Sequence, residues 1–138
     1  MTTPLSKKIG IQEGMRIIFI NAPADAIKAV DPPSLDVASK LNGCYDYIHL
    51  FTKSQTELEN IFSKLKDHLK QNGMLWVSWP KHGQLGTNLT LAKIINIGYG
   101  FGLVESKCLS IDTIWSGLKF TNPKKGKVYH NSYGHLKP

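Results

Sequence analysis

Three strand-like runs separated by helical patterns constrain the fold of this 138-residue chain more than any other feature. Residues 15–21, 46–52 and 74–79 are rich in apolar, aromatic and branched side chains, as in strands that a sheet covers on both faces. The clearest helix follows the second run, because Ser54-Gln55-Thr56-Glu57 forms a capping box and apolar side chains then recur along one stripe. Alternating strands and helices predict an α/β fold with a mainly parallel sheet.

The remaining segments complete a three-layer Rossmann-like domain in this interpretation. Pro23 begins a short helix, Gln71-Asn72-Gly73 is expected to cap the long helix in the left-handed conformation, and Asn88 is expected to cap a third helix. The last two predicted strands join at Asp112 and form an antiparallel hairpin at the sheet edge. The minor elements are a helical turn over residues 5–9 and a strand or irregular segment over residues 35–38.

Composition indicates one globular domain without a membrane segment. The chain is 41% hydrophobic and 20% charged, and its apolar runs are far shorter than the ~20 residues of a membrane helix. No apolar run follows the first lysines, so we expect a cytoplasmic protein in which Cys44 and Cys108 are buried, reduced thiols. Four lysines of the +7 net charge lie within residues 123–138, which predicts a domain over residues 1–122 and a basic, flexible tail.

The turn after the first strand departs from the pattern of a nucleotide-binding protein. Such proteins place glycines there so that a phosphate or an adenosyl group can approach the backbone. This chain has Asn21-Ala22-Pro23 instead; proline offers no N–H, and the Cβ of Ala22 is expected to stand in the way. The sequence therefore predicts the scaffold without its standard cofactor site.

The arrangement resembles the class I S-adenosylmethionine (SAM)-dependent methyltransferases over residues 14–121. The resemblance lies in the first strand, in the strand Tyr45-Asp46-Tyr47-Ile48-His49-Leu50-Phe51, in the terminal hairpin and in the passage from Leu69-Lys70-Gln71-Asn72-Gly73 into the next strand. In that family an acidic residue at the end of the second strand holds the cofactor ribose, whereas Asp36 stands at the start of the matching segment. We therefore expect no cofactor, SAM included, and a protein that is not an enzyme.

Three further segments resemble a small uncharacterised bacterial family whose members look like reduced methyltransferases. The resemblance implies the fold and a bacterial cytoplasmic setting, and it brings no established activity. The segments that carry it are Gly14-Met15-Arg16 with Asn21-Ala22-Pro23, Trp76-Val77-Ser78-Trp79-Pro80-Lys81, and Asp112-Thr113-Ile114-Trp115-Ser116-Gly117-Leu118-Lys119.

A candidate ligand site follows from the expected positions of the strand ends. Ligands of open parallel sheets bind beyond the carboxyl ends of the strands, and the first three strand ends should converge. The hypothesis is a small anionic or nucleotide-like ligand, held by basic side chains, by a helix N-terminus at Ser54 and by stacking on Trp79. The alternative is that the lysines are solvated and that Trp79 packs in the core. The six candidate residues are Asn21, Lys53, Ser54, Trp79, Lys81 and His82.

No motif in the sequence names a reaction, a metal site or a P-loop. His49 lies between apolar residues and is interpreted as a core histidine. The first functional hypothesis is a non-methylating module that binds a ligand, a protein partner or a second copy of itself. The alternatives are an enzyme with a modified SAM or nucleotide site, and a nucleic-acid accessory protein that uses the basic tail.

Overall fold

A six-stranded sheet with the strand order β2-β1-β3-β4-β6-β5 forms the centre of the molecule. The computed structural model describes residues 5–12, 14–30, 36–38 and 43–123, so most of the predicted tail lies outside the described residues. The strands are β1 (Arg16–Ile20), β2 (Asp36–Ala38), β3 (Tyr45–Phe51), β4 (Leu69–Pro80), β5 (Val104–Ser110) and β6 (Trp115–Thr121). The helices are α1 (Leu5–Ile9), α2 (Ala24–Val30), α3 (Gln55–Asp67) and α4 (Leu91–Gly100).

The first four strands run parallel, and β6 pairs antiparallel with both β4 and β5. Ile20 pairs with Leu50, and Phe51 pairs with Ser78, so the carboxyl ends of β1, β3 and β4 meet at one edge of the sheet. The predicted parallel sheet, the edge hairpin and the position of β1 beside β3 are therefore confirmed.

Helices cover both faces of the sheet, which confirms the three-layer architecture. On one face α3 contributes Leu58, Phe62 and Leu65, and α4 contributes Ile94, to the larger core cluster. On the other face the short α1 and α2 contribute a smaller set of side chains to a second cluster, which contains Tyr47 and Phe51 of β3 and Trp76 of β4. None of the helices in the described ranges is long and apolar enough to cross a bilayer.

The end of α3 differs from the prediction. The helix ends at Asp67 with His68 as its C-cap, and β4 begins at once at Leu69. Gly73 does not adopt the left-handed conformation. A Cβ at Gly73 would lie 2.8 Å from Leu69 Cδ1 and 3.0 Å from the carbonyl oxygen of Tyr45. The glycine is therefore needed for a close approach of two strands where their register shifts, and not for a helix cap.

Two further predictions are wrong. Thr90, and not Asn88, caps α4 by accepting the N–H of Lys93, because Asn88 Oδ1 accepts the N–H of Gln55 at 3.0 Å instead. Cys44 and Cys108 are exposed rather than buried. Cys44 precedes β3, and Cys108 lies on the edge strand β5, so neither position is covered by a helix.

His49 is a core residue, as predicted. It is fully buried, with Nδ1 2.6 Å from the Tyr47 hydroxyl and Nε2 2.6 Å from Ser78 Oγ. A neutral imidazole has one donor and one acceptor nitrogen, so these two contacts satisfy both. Burial lowers the pKa of His49 to about 3, and the ring is therefore uncharged in the folded protein near neutral pH.

Acidification should destabilise the protein through His49. Between its unfolded pKa of 6.5 and its folded pKa of about 3, the unfolded chain binds a proton that the folded chain does not. The free energy of unfolding should therefore fall by up to about 1.4 kcal/mol for each pH unit below 6.5. Urea unfolding between pH 7 and pH 4.5 measures this slope. In the His49→Gln variant the free energy of unfolding should depend less steeply on pH, because the contribution of about one proton is lost. An equal slope in both proteins would contradict a neutral, buried His49.

Two glycines of α4 should respond oppositely to alanine. A Cβ at Gly98 would lie 2.0 Å from Phe120 Cε1, whereas nothing lies within 4 Å of a Cβ at Gly100. Gly98→Ala should cost about 1–3 kcal/mol of stability through overpacking. Gly100→Ala should stabilise by about 0.5–1 kcal/mol through helix propensity. Urea unfolding of both variants tests the packing of α4, and a stabilised Gly98→Ala protein would refute it.

Candidate functional site

Two cavities lie at the carboxyl edge of the sheet. The first, here called the strand-end cavity, has a volume of about 470 Å³, and the second, the Trp79 cavity, about 330 Å³. Both volumes fall in the range of small-molecule sites. The first is lined by Asn21, Pro23, Phe51, Thr52, Lys53, Glu57, Leu85 and Trp115. The second is lined by Trp79, Lys81, His82, Gly83, Leu89, Thr90, Leu91 and Ser116.

Five of the six predicted site residues are divided between these cavities. Asn21 and Lys53 line the strand-end cavity, whereas Trp79, Lys81 and His82 line the other. Ser54 lines neither cavity, because its hydroxyl caps α3 by accepting the N–H of Glu57 at 3.3 Å. A second N–H at this helix end, that of Gln55, donates to Asn88. Two of the N–H groups proposed for anion binding thus already have partners within the protein.

The turn after β1 leaves the strand-end cavity open. Asn21 adopts the left-handed conformation with φ 57°, which asparagine tolerates better than most residues. The Ala22 side chain packs against the core cluster beneath α1 and α2 and does not line the cavity. Pro23 forms part of the wall, and its carbonyl accepts the first N–H groups of α2. The expected obstruction by the Cβ of Ala22 is therefore wrong.

The lining of the strand-end cavity includes both a positive and a negative side chain. Lys53 is the second residue after β3, and Glu57 lies in the first turn of α3. The Asn21 side-chain amide donates to Glu57 Oε1 at 3.3 Å and so ties the turn after β1 to this helix. A ligand in the cavity therefore meets one cation, one carboxylate and one amide.

Two aromatic side chains, Phe51 and Trp115, also line the strand-end cavity. The rings of Phe51 and Trp115 meet edge to face, with centroids 5.1 Å apart. Phe51 also stacks on His49 at 4.4 Å, so the buried core fixes its plane. The Asp112 carboxylate accepts the N–H of Trp115 at 2.7 Å and holds the start of β6 in place. Trp115 is not among the six residues predicted for the site, because nothing in its own segment shows that the hairpin brings it to Phe51 of β3.

The loop Lys81–Gly86 after β4 borders both cavities, with Leu85 on the first and Lys81, His82 and Gly83 on the second. His82 and Leu85 adopt left-handed backbone angles, with φ 53° and 55°. Together with Asn21 they are the non-glycine residues of positive φ in the described ranges, and all three line these cavities. Backbone strain of this kind concentrates at functional sites. Those same ranges contain no cluster of metal-ligating side chains.

Solved structures share this fold at low sequence identity. A ribosomal protein L11 methylase from Lactobacillus delbrueckii subsp. bulgaricus matches with a TM-score of 0.59 at 10% identity, over 87% of this chain and 75% of that one. Magnesium protoporphyrin IX methyltransferase from Synechocystis PCC 6803 with bound SAM matches with a TM-score of 0.52 at 14% identity. The match covers 72% of this chain and 51% of that one. A LepI complex with SAM matches with a TM-score of 0.56 at 10% identity, and the match covers 88% of this chain and 47% of that one.

The present chain spans about half the length of the last two structures. No protein-family model matches the sequence, and neither does any curated protein. The comparisons therefore establish a methyltransferase-like Rossmann fold.

Two predictions are corrected by these neighbours. A protein that is not an enzyme was the expectation from Asn21-Ala22-Pro23, yet two of the structures with its fold are enzymes of methyl transfer by name. SAM binding was not expected, yet two of the structures are complexes with SAM. The physical reason for the error is the turn after β1, where Asn21 takes the conformation expected of glycine and Ala22 faces the core.

Strain at Leu85 should be measurable by substitution. Leu85 is 54% exposed and has a left-handed backbone, so its side chain gains little from burial while its Cβ is strained. Leu85→Gly relieves the strain, whereas Leu85→Ala removes the same contacts and keeps it. The glycine variant should be about 1 kcal/mol more stable than the alanine variant. Urea unfolding measures the stabilities of the two variants, and an alanine variant of equal or higher stability would contradict the left-handed conformation.

Proposed function

We propose that this protein is an enzyme that binds SAM in the strand-end cavity and uses it for methyl transfer. The observation that carries the proposal is that one cavity is lined by Lys53 and Glu57 together with the adjoining rings of Phe51 and Trp115. The methyltransferase-like fold supports it, because ligands of such sheets bind beyond the carboxyl ends of the strands.

The chemical groups of this cavity fit those of SAM. The amino-acid end of SAM has one carboxylate and one ammonium group, which Lys53 and Glu57 would hold as ion pairs. Its sulfonium is a cation and its adenine is planar, and both are attracted to the faces of aromatic rings such as Phe51 and Trp115. The Asn21 amide and the Thr52 hydroxyl are further polar groups of the residues that line this cavity.

Binding should depend on β1 and β3 more than on β2. Asp36 pairs with Arg16, so it lies at the amino end of β2, away from the edge that carries the cavity. The described end of β2 is Ala38. We therefore propose that Glu57, which reaches the cavity from α3, is the principal carboxylate for this ligand.

When bound, SAM supplies an electrophilic methyl group, and the residues of the chain position the reactants. Transfer of a methyl group to a nucleophile needs alignment of the two reacting atoms more than it needs an acid or a base. Phe51 and Trp115 form a rigid wall, because the first is stacked on the buried His49 and the second is anchored by Asp112. Leu85 completes the apolar side of the cavity and limits the access of water.

Calorimetric titration with SAM and with S-adenosylhomocysteine tests the proposal. We expect Glu57→Gln and Lys53→Met each to weaken SAM binding by roughly tenfold, which corresponds to the loss of one charge-assisted contact. Glu59→Gln is the matched control, because Glu59 lies on the same helix and outside the cavity; it should bind SAM as the natural protein does. Equal losses in Glu57→Gln and Glu59→Gln would place the ligand elsewhere.

The catalytic part of the proposal needs its own measurement. The protein is incubated with SAM and a small-molecule extract, and the release of S-adenosylhomocysteine is followed by mass spectrometry. Release above the level of a Trp115→Ala variant supports methyl transfer. Absence of SAM binding at about 1 mM ligand, or no release above that variant, overturns the corresponding half of the proposal.

A further inference from the structure

We infer that the Trp79 cavity is a second binding site and that its ligand is a planar aromatic carboxylate. The site is distinct from the strand-end cavity, because the two share none of their lining residues. The inference therefore does not depend on SAM binding.

A fixed indole forms one wall of this cavity. Trp79 is only 6% exposed, belongs to the larger core cluster and pairs with Ser116 in the β4–β6 ladder. Leu89, which is 4% exposed, and the half-buried Leu91 line the cavity beside it. A rigid aromatic surface flanked by leucines favours a flat apolar ring over a flexible or strongly hydrated ligand.

Basic side chains give the cavity its charge preference. Lys81 and His82 line it, and no carboxylate is among its lining residues. The Lys81 ammonium donates to Ser110 Oγ, which leaves two of its three donors for a ligand. Asp112 belongs to the adjoining turn, where its Oδ1 accepts the N–H groups of Ile114 and Trp115. An anionic group on the ligand thus meets the Lys81 ammonium in a cavity that no carboxylate lines.

The backbone holds Lys81 and His82 in place. The N–H of Lys81 donates to the Ile114 carbonyl at 2.7 Å, which joins the loop to the β5–β6 turn. His82 adopts φ 53°, an uncommon conformation for a residue with a Cβ. Strained residues persist where the surrounding structure fixes them, and they concentrate at ligand sites. The cavity thus combines a rigid ring-binding wall with an oriented cationic edge.

Calorimetry with three small probes tests the inference. Benzoate has both a planar ring and a carboxylate, benzamide keeps the ring without the charge, and cyclohexanecarboxylate keeps the charge without the planar ring. We expect benzoate to bind with a Kd below about 1 mM and each of the other probes roughly tenfold more weakly. Absence of benzoate binding, or equal affinity for all three probes, overturns the inference.

Two variants locate the probe. Lys81→Met should weaken benzoate binding roughly tenfold and leave benzamide binding unchanged, because it removes only the charge-assisted contact. Lys53→Met is the matched control in the other cavity and should bind benzoate as the natural protein does. Loss of benzoate binding in Lys53→Met, or none in Lys81→Met, overturns the inference. SAM binding should be unchanged in Lys81→Met, so the two proposals succeed or fail separately.

Discussion

The buried contacts of His49 hold together the part of the sheet on which the candidate site depends. One nitrogen contacts Tyr47 in the same strand, and the other joins β3 to Ser78 of β4. Within the described ranges, the helices that contribute to the core on this face are the short α1 and α2. Aromatic rings therefore fill much of it, and a polar ring among them needs partners for both nitrogens. The N–H of Thr52 also donates to the Ser78 carbonyl, which continues the link to the end of β3.

This core sets the geometry of the strand-end cavity from beneath. The His49 ring stacks on Phe51, Phe51 meets Trp115 edge to face, and Asp112 anchors the backbone of Trp115. A chain of rigid contacts thus runs from the centre of the sheet to the ligand-facing wall. Gly117 is part of the same packing, since a Cβ there would lie 3.0 Å from Ile111 Cδ1 and 3.2 Å from Ser78 Oγ. The apolar wall is therefore preorganised, which lowers the cost of ordering it around a ligand.

Local patterns predicted the elements well wherever one segment contained the whole signal. The N-cap at Ser54 and the turn at Asp112 are of this kind. The failures arise from tertiary contacts. Asn88 does not cap α4 because its side chain accepts the N–H of Gln55, 33 positions away, and Gly73 serves a close approach to Tyr45 that no local pattern contains. The edge that carries the site was predictable, but its division into two cavities depends on where the loop Lys81–Gly86 and Trp115 fold back.

At the turn after β1 the conformation of the residues matters more for access to the cavity than their identity does. Asparagine can adopt the left-handed backbone that a glycine turn requires, and an alanine obstructs a ligand only if its methyl group faces that ligand. Here Asn21 has φ 57° and Ala22 packs into the core. His82 and Leu85 carry the same strain, and all three residues border the cavities at the carboxyl edge. Across the part of the chain that the structure describes, these three residues are exposed, so relieving their strain would cost the core little, and strain of this kind is the pattern expected where binding rather than folding selects a conformation.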